Sequence, residues 1–290
     1  MTGVAVGLVL VSALMHASWN LLTKRSVDPL AFLFAHGLVA GVVYLIPAIV
    51  MLNRYGLPVE GLPYLIVSGV VESIYLFALA AAYRHGALSL AYPIARGTGV
   101  LLVPLLAIPL LDERPTVVAF AGIGAILIGI VTINVIGARS RVGAELEHGR
   151  RGILFALLTG VSIATYSLID KVGVDYIHPV VYAYGLEVMM TICVAPYILA
   201  RRRAAVAEVW RTTRGAVIAA GIMNLGTYLI ILFAMSLDGA NVSYIVPLRE
   251  TSIVFATILG VVVLKEHIGL ARVLGSATIA LGVLLIAFGG

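Results

Sequence analysis

The chain has 290 residues, of which 61% are hydrophobic and only 11% are charged, and its formal net charge is +5. Soluble domains contain about 25% charged residues, so this composition excludes a water-soluble enzyme with a single core. The apolar runs are continuous rather than alternating with polar residues, which favours membrane-spanning helices over a membrane β-barrel. Most basic residues lie between these runs, where membrane topology explains them better than nucleic-acid binding does.

Ten segments reach the length of about 20 apolar residues that a spanning helix needs. We therefore predict an all-α polytopic membrane protein with ten transmembrane helices. The predicted spans are residues 3–22, 30–52, 62–83, 88–111, 117–136, 153–170, 180–200, 216–237, 242–264 and 268–288. The first span has no basic residue before it, unlike a signal peptide, and the single cysteine excludes an intramolecular disulfide. The basic connection 201–214 is expected to lie on the membrane surface.

The chain contains an internal repeat, which appears when it is aligned with itself. At an offset of 153 residues the matching pairs are Arg96 and Arg249, Thr98 and Thr251, Glu113 and Glu266, Gly122 and Gly275, and Gly129 and Gly282. At an offset of 147 residues Trp19 and Asn20 align with Tyr166 and Ser167. We predict a first five-helix repeat at 1–137, a connecting loop at 138–151 and a second repeat at 152–290.

An odd number of helices in each repeat inserts the second copy upside down relative to the first. Inverted-topology repeats are typical of secondary transporters, which bind substrate at the repeat interface near the bilayer midplane. The connections after even-numbered spans carry few basic residues, namely Arg54, Arg114 and Lys171. The positive-inside rule therefore predicts cytoplasmic odd-numbered connections and both termini outside.

Two arginines occupy equivalent positions in the fourth and ninth predicted spans, Arg96 and Arg249. Tyr92 lies four residues before Arg96 and shares its helix face. Two converging guanidinium groups would suit a carboxylate, phosphate or phosphonate, because the planar fork matches two oxygens. The alternative is a structural ion pair between either arginine and Glu72 or Glu250.

Two carboxylates, Glu72 and Glu187, lie within the third and seventh predicted spans. An ionisable group at the centre of a spanning helix costs roughly 2.5–3.5 kcal/mol, so it must be paired or face water. A buried, unpaired carboxyl can carry a proton, which makes Glu72 the candidate for proton coupling. The alternative for both is neutralisation by a neighbouring arginine.

Polar residues follow one face of the first and sixth predicted spans at helical spacing. Such a stripe must face protein or water, so it indicates either a cavity or interhelical hydrogen bonds. The residues expected to shape a substrate cavity, besides the arginines, Tyr92 and Glu250, are His16, Trp19, Asn20, Tyr75, Asn224 and Tyr228. The sixth-span stripe comprises Thr159, Ser162, Tyr166, Ser167 and Asp170.

Other features have structural interpretations. The glycine pairs of the fifth and tenth spans indicate close helix packing, with a homodimer interface as the alternative. Glu113 and Glu266 precede these spans and are expected to offset the positive ends of helices. His36 is expected to be a packing residue with satisfied hydrogen bonds, although it could titrate near neutral pH.

Several segments together resemble the drug/metabolite transporter superfamily, in its ten-helix EamA-like branch. They are HASWNLLTK at 16–24, AYPIARGTG at 91–99, IVPLRETSIVFATILG at 245–260 and the glutamate after each fourth helix. The resemblance covers nearly the whole chain. It implies an alternating-access carrier with a cavity lined by helices 1, 3, 4, 6, 8 and 9, which exports or exchanges small metabolites such as amino acids. The arginine-bearing helices also resemble a subgroup linked to phosphonate use. The resemblance implies cytoplasmic termini, contrary to the charge distribution.

These observations predict a secondary transporter for a small organic anion or zwitterion, in the inner or plasma membrane. Its expected partners are a small-molecule substrate, the lipid bilayer, and a proton or counter-substrate. No cofactor is expected, and the sequence contains no P-loop, zinc-protease or serine-hydrolase motif, so we predict no enzyme activity. The alternatives are a cation or drug exporter that uses Glu72, and a non-transporting membrane scaffold.

Overall fold

The computed structural model describes residues 2–85, 88–135, 150–265 and 269–289. These residues form α-helices joined by turns, one short 3₁₀ helix at Val59–Gly61 and no β-strand. The helices are α1 (Gly3–Lys24), α2 (Pro29–Val43), α3 (Leu45–Tyr55), α4 (Leu62–His85), α5 (Leu88–Leu111), α6 (Val117–Val135), α7 (Arg150–Tyr176), α8 (Pro179–Arg201), α9 (Arg203–Ser236), α10 (Val242–Arg249), α11 (Thr251–Leu264) and α12 (Leu270–Gly289).

The described helices include eight that are long and apolar enough to cross a membrane, or nine if the bent pair α2–α3 forms one span. The fifth predicted span corresponds to α6, of which Val117–Ile133 is an apolar helix outside that count. The prediction of a multi-pass all-helical protein is therefore confirmed. The count of ten spans stays a prediction.

Helices α2 and α8 begin where local chemistry favours a start. Asp28 lies before α2, and its side chain accepts a hydrogen bond of 3.0 Å from the Ala31 N–H. His178 similarly caps α8 by accepting from the Val180 N–H. Both helices have proline at their first position, where its missing N–H costs nothing.

Two interruptions divide predicted single spans. The second span bends by 48° between α2 and α3. Pro47 explains this bend, because it has no N–H to donate to the Val43 carbonyl and its ring crowds that carbonyl. The ninth span breaks at Glu250, whose N–H instead bonds to the Pro247 carbonyl three residues earlier. The break places Arg249 and Glu250 at a helix junction.

The basic connection at 201–214 is largely helical and forms the start of α9, which continues into the eighth span. Thr213 interrupts the helical dihedral angles between the two parts. Trp210 is 46% exposed, whereas Val209 on the same turn is fully buried. This segment therefore has an inward apolar side and an exposed aromatic residue, as an interfacial helix requires.

The glycine pairs pack α6 directly against α12. A Cβ atom added at Gly129 would lie 2.6 Å from the Gly275 carbonyl oxygen, and one at Gly122 would lie 2.7 Å from the Gly282 carbonyl oxygen. The predicted close helix packing is therefore an intrachain contact. A homodimer would have to use a different surface.

The two halves pack against each other reciprocally. Helix α1 packs against α9 and the α10–α11 pair, while α7 packs against α4 and α5. In both cases the first helix of one half meets the third and fourth spans of the other half. This arrangement brings polar residues of both halves to the centre of the molecule.

Glu113 binds to the beginning of a helix, but not of the helix that follows it in the chain. Its two carboxylate oxygens accept hydrogen bonds from the N–H groups of Val242 and Ser243, at 2.6 and 3.0 Å. The expectation that Glu113 stabilises the start of α6 is therefore wrong. Its carboxylate instead caps α10 of the other half. Its counterpart Glu266 and most of the 138–151 connection lie outside the described residues.

An ion pair joins the start of α2 to the end of α8. The guanidinium of Arg202 donates to the Asp28 carboxylate at 2.6 Å. Partial burial opposes ionisation of Asp28, but hydrogen bonds from the Ala31 N–H and Arg202 outweigh it and lower the pKa of this carboxyl below its ordinary value. The ionised form of Asp28 therefore contributes to the stability of this end of the bundle.

Candidate functional site

Arg96 of α5 forms a buried ion pair with Glu250 at the α10–α11 junction. Its Nε donates to Glu250 Oε2 at 3.1 Å, and a terminal guanidinium nitrogen contacts Oε1, so the pair is bidentate. The Glu250 side chain is only 3% exposed. For Arg96 the structure thus forms the ion pair that the sequence analysis held as the alternative to a free anion site.

Arg249 is placed differently, although it matches Arg96 in the internal repeat. Its guanidinium lies over the aromatic ring of Tyr228 in α9, 5.7 Å from the ring centroid, as a cation–π contact. Among the described residues no carboxylate forms an ion pair with it. Arg249 is therefore the member of the pair whose hydrogen-bond donors remain available for a ligand.

A crevice between α1, α5, α9 and α10 contains both arginines. Its lining residues are Ser12, Ala13, His16, Arg96, Thr227 and Arg249. The crevice is too narrow to admit a water molecule, whereas typical ligand pockets enclose roughly 300–1,000 Å³. A substrate of metabolite size would therefore require the helices around the crevice to separate.

The hydroxyl of Thr227 marks a polar position in this crevice that the sequence analysis missed. Thr227 is only 3% exposed, and its Oγ1 has no hydrogen-bond partner among the described residues. The Thr227 carbonyl, by contrast, accepts a hydrogen bond of 2.9 Å from Ser12. Buried hydroxyls are nearly always hydrogen-bonded, so this one is a candidate to contact a ligand.

Asp170 of α7 is the centre of a hydrogen-bond network beside the crevice. It is fully buried, and its carboxylate accepts hydrogen bonds from Ser68 at 2.5 Å, from Tyr182 at 2.9 Å and from Tyr228. These donors lie on α4, α8 and α9, so four helices meet at this carboxylate. Glu72, one turn after Ser68 on α4, is 7% exposed and lies near Asp170 and Tyr228.

Asp170 belongs to the polar stripe of the sixth predicted span but is not among the predicted site residues. The predicted span ended at residue 170, which placed the carboxylate at the edge of the membrane. The helix instead continues to Tyr176. A predicted span that reached Tyr176 would have placed Asp170 inside the membrane, where any ionisable residue is a candidate for a functional site.

Aromatic rings surround the central polar groups. Tyr75 contacts Tyr166 edge to face, with ring centroids 5.9 Å apart. Tyr92 is half-buried beside the Arg96–Glu250 pair. The rings of Trp19 and His16 are in contact, with their centroids 5.0 Å apart. His16 lines the crevice, whereas Trp19 does not.

The other predicted polar residues are not among the lining residues of the crevice. Asn20 is exposed, and its side chain donates to the His16 carbonyl of its own helix at 2.7 Å. Asn224 is half-buried on α9. His36 is buried against Trp19 and Phe32, but neither of its ring nitrogens has a hydrogen-bond partner among the described residues, so the expectation of satisfied hydrogen bonds is wrong.

Long apolar helices with charged groups buried between them define a multi-pass helical membrane protein. The profile of the EamA-like transporter family matches this chain twice, over residues 3–135 and 150–288. The chain belongs to the EamA-like transporter family, within the drug/metabolite transporter superfamily, as the resemblance predicted. That family is one of transporters, not of enzymes.

The fold is also similar to that of a solved crystal structure. The two share 19% sequence identity with a TM-score of 0.77, over 98% of this chain and 97% of the other. At this identity the similarity concerns the fold alone.

Proposed function

We propose that the protein is a secondary transporter for a small organic anion or zwitterion, such as an amino acid, an organic acid or a phosphonate. The observation that carries the proposal is the position of Arg249 in the central crevice, without an ion pair to a carboxylate among the described residues. The unpaired donors of this guanidinium match the two oxygens of a bidentate anion. The acidic group of the substrate would bind there.

Neighbouring groups complete a binding site of mixed chemistry. The Thr227 hydroxyl and the His16 ring would contact polar substrate atoms, since both line the crevice. Arg96 would border the substrate while its hydrogen bonds and its charge are taken up by Glu250. Tyr228 holds the Arg249 guanidinium in position by its ring face. Glu72 is the proposed carrier of a coupling proton.

Transport would proceed by alternating access between two inverted five-helix repeats, residues 1–137 and 152–290, with ten spans in all. The reciprocal packing of α1 and α7 supports this proposal, because an inverted repeat requires each half to contact the other in the same way. The small volume of the crevice supports an occluded conformation. The proposed location is the inner or plasma membrane.

The test is a thermal-shift screen of the purified protein against organic acids, phosphonates, amino acids and organic cations. A ligand that binds only the folded protein raises its unfolding temperature by mass action. We expect acids or zwitterions to stabilise the wild type and to lose this effect in Arg249→Gln. Arg54→Gln is the matched control, because Arg54 also lies over a tyrosine ring, 5.4 Å from the Tyr55 centroid, but outside the crevice.

Other outcomes of this screen would reject the anion site. Stabilisation by cations that is lost in Glu72→Gln would support a cation or drug exporter instead. Equal stabilisation of the wild type and Arg249→Gln by acids would place the anion elsewhere. A positive result would then be tested by uptake of the same acid into proteoliposomes.

A further inference from the structure

Two buried carboxyls, Asp170 and Glu72, and the half-buried Arg249 lie close together, and their charges must balance. Asp170 accepts three hydroxyl hydrogen bonds, which stabilise its ionised form. Its closest link to a cation runs through Tyr228, whose hydroxyl donates to Asp170 and whose ring lies beneath Arg249. Glu72 lies beside the same tyrosine. One positive charge thus faces two carboxyls.

Charge balance assigns a state to each group. Two neighbouring buried carboxyls do not both ionise beside a single cation, since the second charge would be uncompensated in low dielectric. Asp170 accepts more hydrogen bonds than Glu72 does, and these bonds stabilise its ionised form. Asp170 therefore holds the negative charge, opposite Arg249. Glu72 holds a proton. An anion that binds to Arg249 removes the counter-charge of Asp170.

We propose that Asp170 is a second proton-binding site, which takes up a proton when an anion binds to Arg249. The proton comes from water in the open cavity and adds to a carboxylate oxygen of Asp170, and no other bond breaks. The Tyr228 hydroxyl can accept as well as donate, so it keeps its contact with the protonated acid. Anion and proton would then cross the membrane together. This inference rests on the proposed anion site at Arg249.

The other charged and titratable groups around Asp170 and Arg249 lie on α1, α8 and α5. On α1, His16 lines the crevice together with Arg249. On α8, Tyr182 donates to Asp170, and Glu187 lies nearer to Glu72. On α5, the charge of Arg96 is compensated by Glu250.

The basic neighbour of Asp170 in the chain is directed elsewhere. The Lys171 ammonium donates to the Met235 carbonyl at 2.7 Å. Among the described residues Arg249 is therefore the cation whose state changes when an anion enters the crevice.

The test needs no ligand, because removal of the Arg249 charge imitates its neutralisation by an anion. Infrared spectra of the purified protein at near-neutral pH would be compared for the wild type and Arg249→Gln in the carboxylic-acid carbonyl region. We expect Arg249→Gln to gain roughly one protonated carboxyl per chain. The gain should be absent in the double variant Arg249→Gln/Asp170→Asn. Because Glu72→Gln itself removes the protonated carboxyl of Glu72, the variant Arg249→Gln/Glu72→Gln should show the gain relative to Glu72→Gln alone.

Two controls isolate charge and position. Arg249→Lys keeps the charge, and Arg54→Gln removes a distant arginine that also lies over a tyrosine ring. Both should give the wild-type spectrum. If the double variant does not fold, ¹³C labelling of aspartate carboxyls in Arg249→Gln should shift the gained band.

No gain in Arg249→Gln, or a gained band that is insensitive to aspartate labelling, would overturn the inference. The outcome is separable from that of the ligand screen. A missing band in a protein that acids stabilise refutes the proton site alone. A gained band in a protein that no acid stabilises refutes the anion site, and with it the coupling to substrate.

Discussion

Arg96 and Glu250 form a bidentate ion pair that joins α5 of the first half to the α10–α11 junction of the second. Arg249, which matches Arg96 in the internal repeat, forms no equivalent ion pair among the described residues. The residue of the first half that matches Glu250 is Gly97, which has no carboxylate. The repeat thus places two arginines symmetrically, and one additional carboxylate makes their roles different. Arg96 stabilises the contact between the halves, and Arg249 stays available in the crevice.

Loss of one partner of the Arg96–Glu250 pair should be strongly destabilising. Arg96→Gln leaves the 3%-exposed Glu250 carboxylate without its counter-charge, which costs about 3–5 kcal/mol in comparable buried pairs. Thermal unfolding in detergent measures the effect. The double variant Arg96→Gln/Glu250→Gln should recover much of the loss, and strictly additive effects of the two changes would contradict the assignment. Arg249→Gln should destabilise less than Arg96→Gln.

The α6–α12 contact depends on the absence of side chains at particular glycines. Gly129→Ala places a Cβ atom against the Gly275 carbonyl and should destabilise the protein by about 1–3 kcal/mol. Gly124→Ala on the same helix meets no atom within 4 Å, so it should be neutral or slightly stabilising. Unfolding temperatures of the two variants make the comparison. If both variants changed the unfolding temperature equally, helix propensity rather than packing would determine their stability.

The Asp28–Arg202 pair should make stability depend on pH in the acidic range. Since the pKa of Asp28 is lowered in the folded protein, its contribution is complete above the ordinary aspartate pKa of about 3.9 and is lost as the pH falls through the lower, folded value. Asp28→Asn keeps a helix-capping side chain but not the charge. The difference in unfolding temperature between the wild type and Asp28→Asn should therefore shrink below about pH 4.

A matched control for this pH series is Glu208→Gln, which removes the carboxylate of the exposed pair with Arg211. Exposed pairs contribute little, so this variant should follow the wild type. A difference between wild type and Asp28→Asn that is independent of pH would show that the cap, and not the ion pair, matters.

Thr227→Val should weaken substrate binding without destabilising the protein. The Oγ1 atom is buried without a partner among the described residues, so its removal costs no intramolecular hydrogen bond. If it donates to a charged substrate group, the loss of about 1.5–3 kcal/mol lowers affinity roughly 10- to 100-fold. Titration with the acid that stabilises the wild type most strongly measures this change. Asn20→Ala, on the exposed face of α1, should bind that acid normally, and a loss of affinity there would move the site.

Much of the architecture could be predicted from the sequence, because membrane insertion imposes a length and a composition on each helix. The predicted spans overlap the described helices, and the family profile matches residues 3–135 and 150–288. The prediction was least accurate at helix ends. α7 continues to Tyr176, so Asp170 lies inside the bundle rather than at its edge.

The sequence by itself determined that this chain is a multi-pass helical protein with two related halves, since hydropathy and repeats are properties of residue order. It also identified Arg96, Arg249 and Glu72 as expensive to bury and Tyr228 as a cavity residue. Only the tertiary structure decided which partner each acquired. Arg96 pairs with Glu250, Tyr228 with Asp170, and Glu113 caps a helix in the other half. Hydropathy depends on local composition, whereas the pairing of buried charges depends on distances between helices that are far apart in the chain.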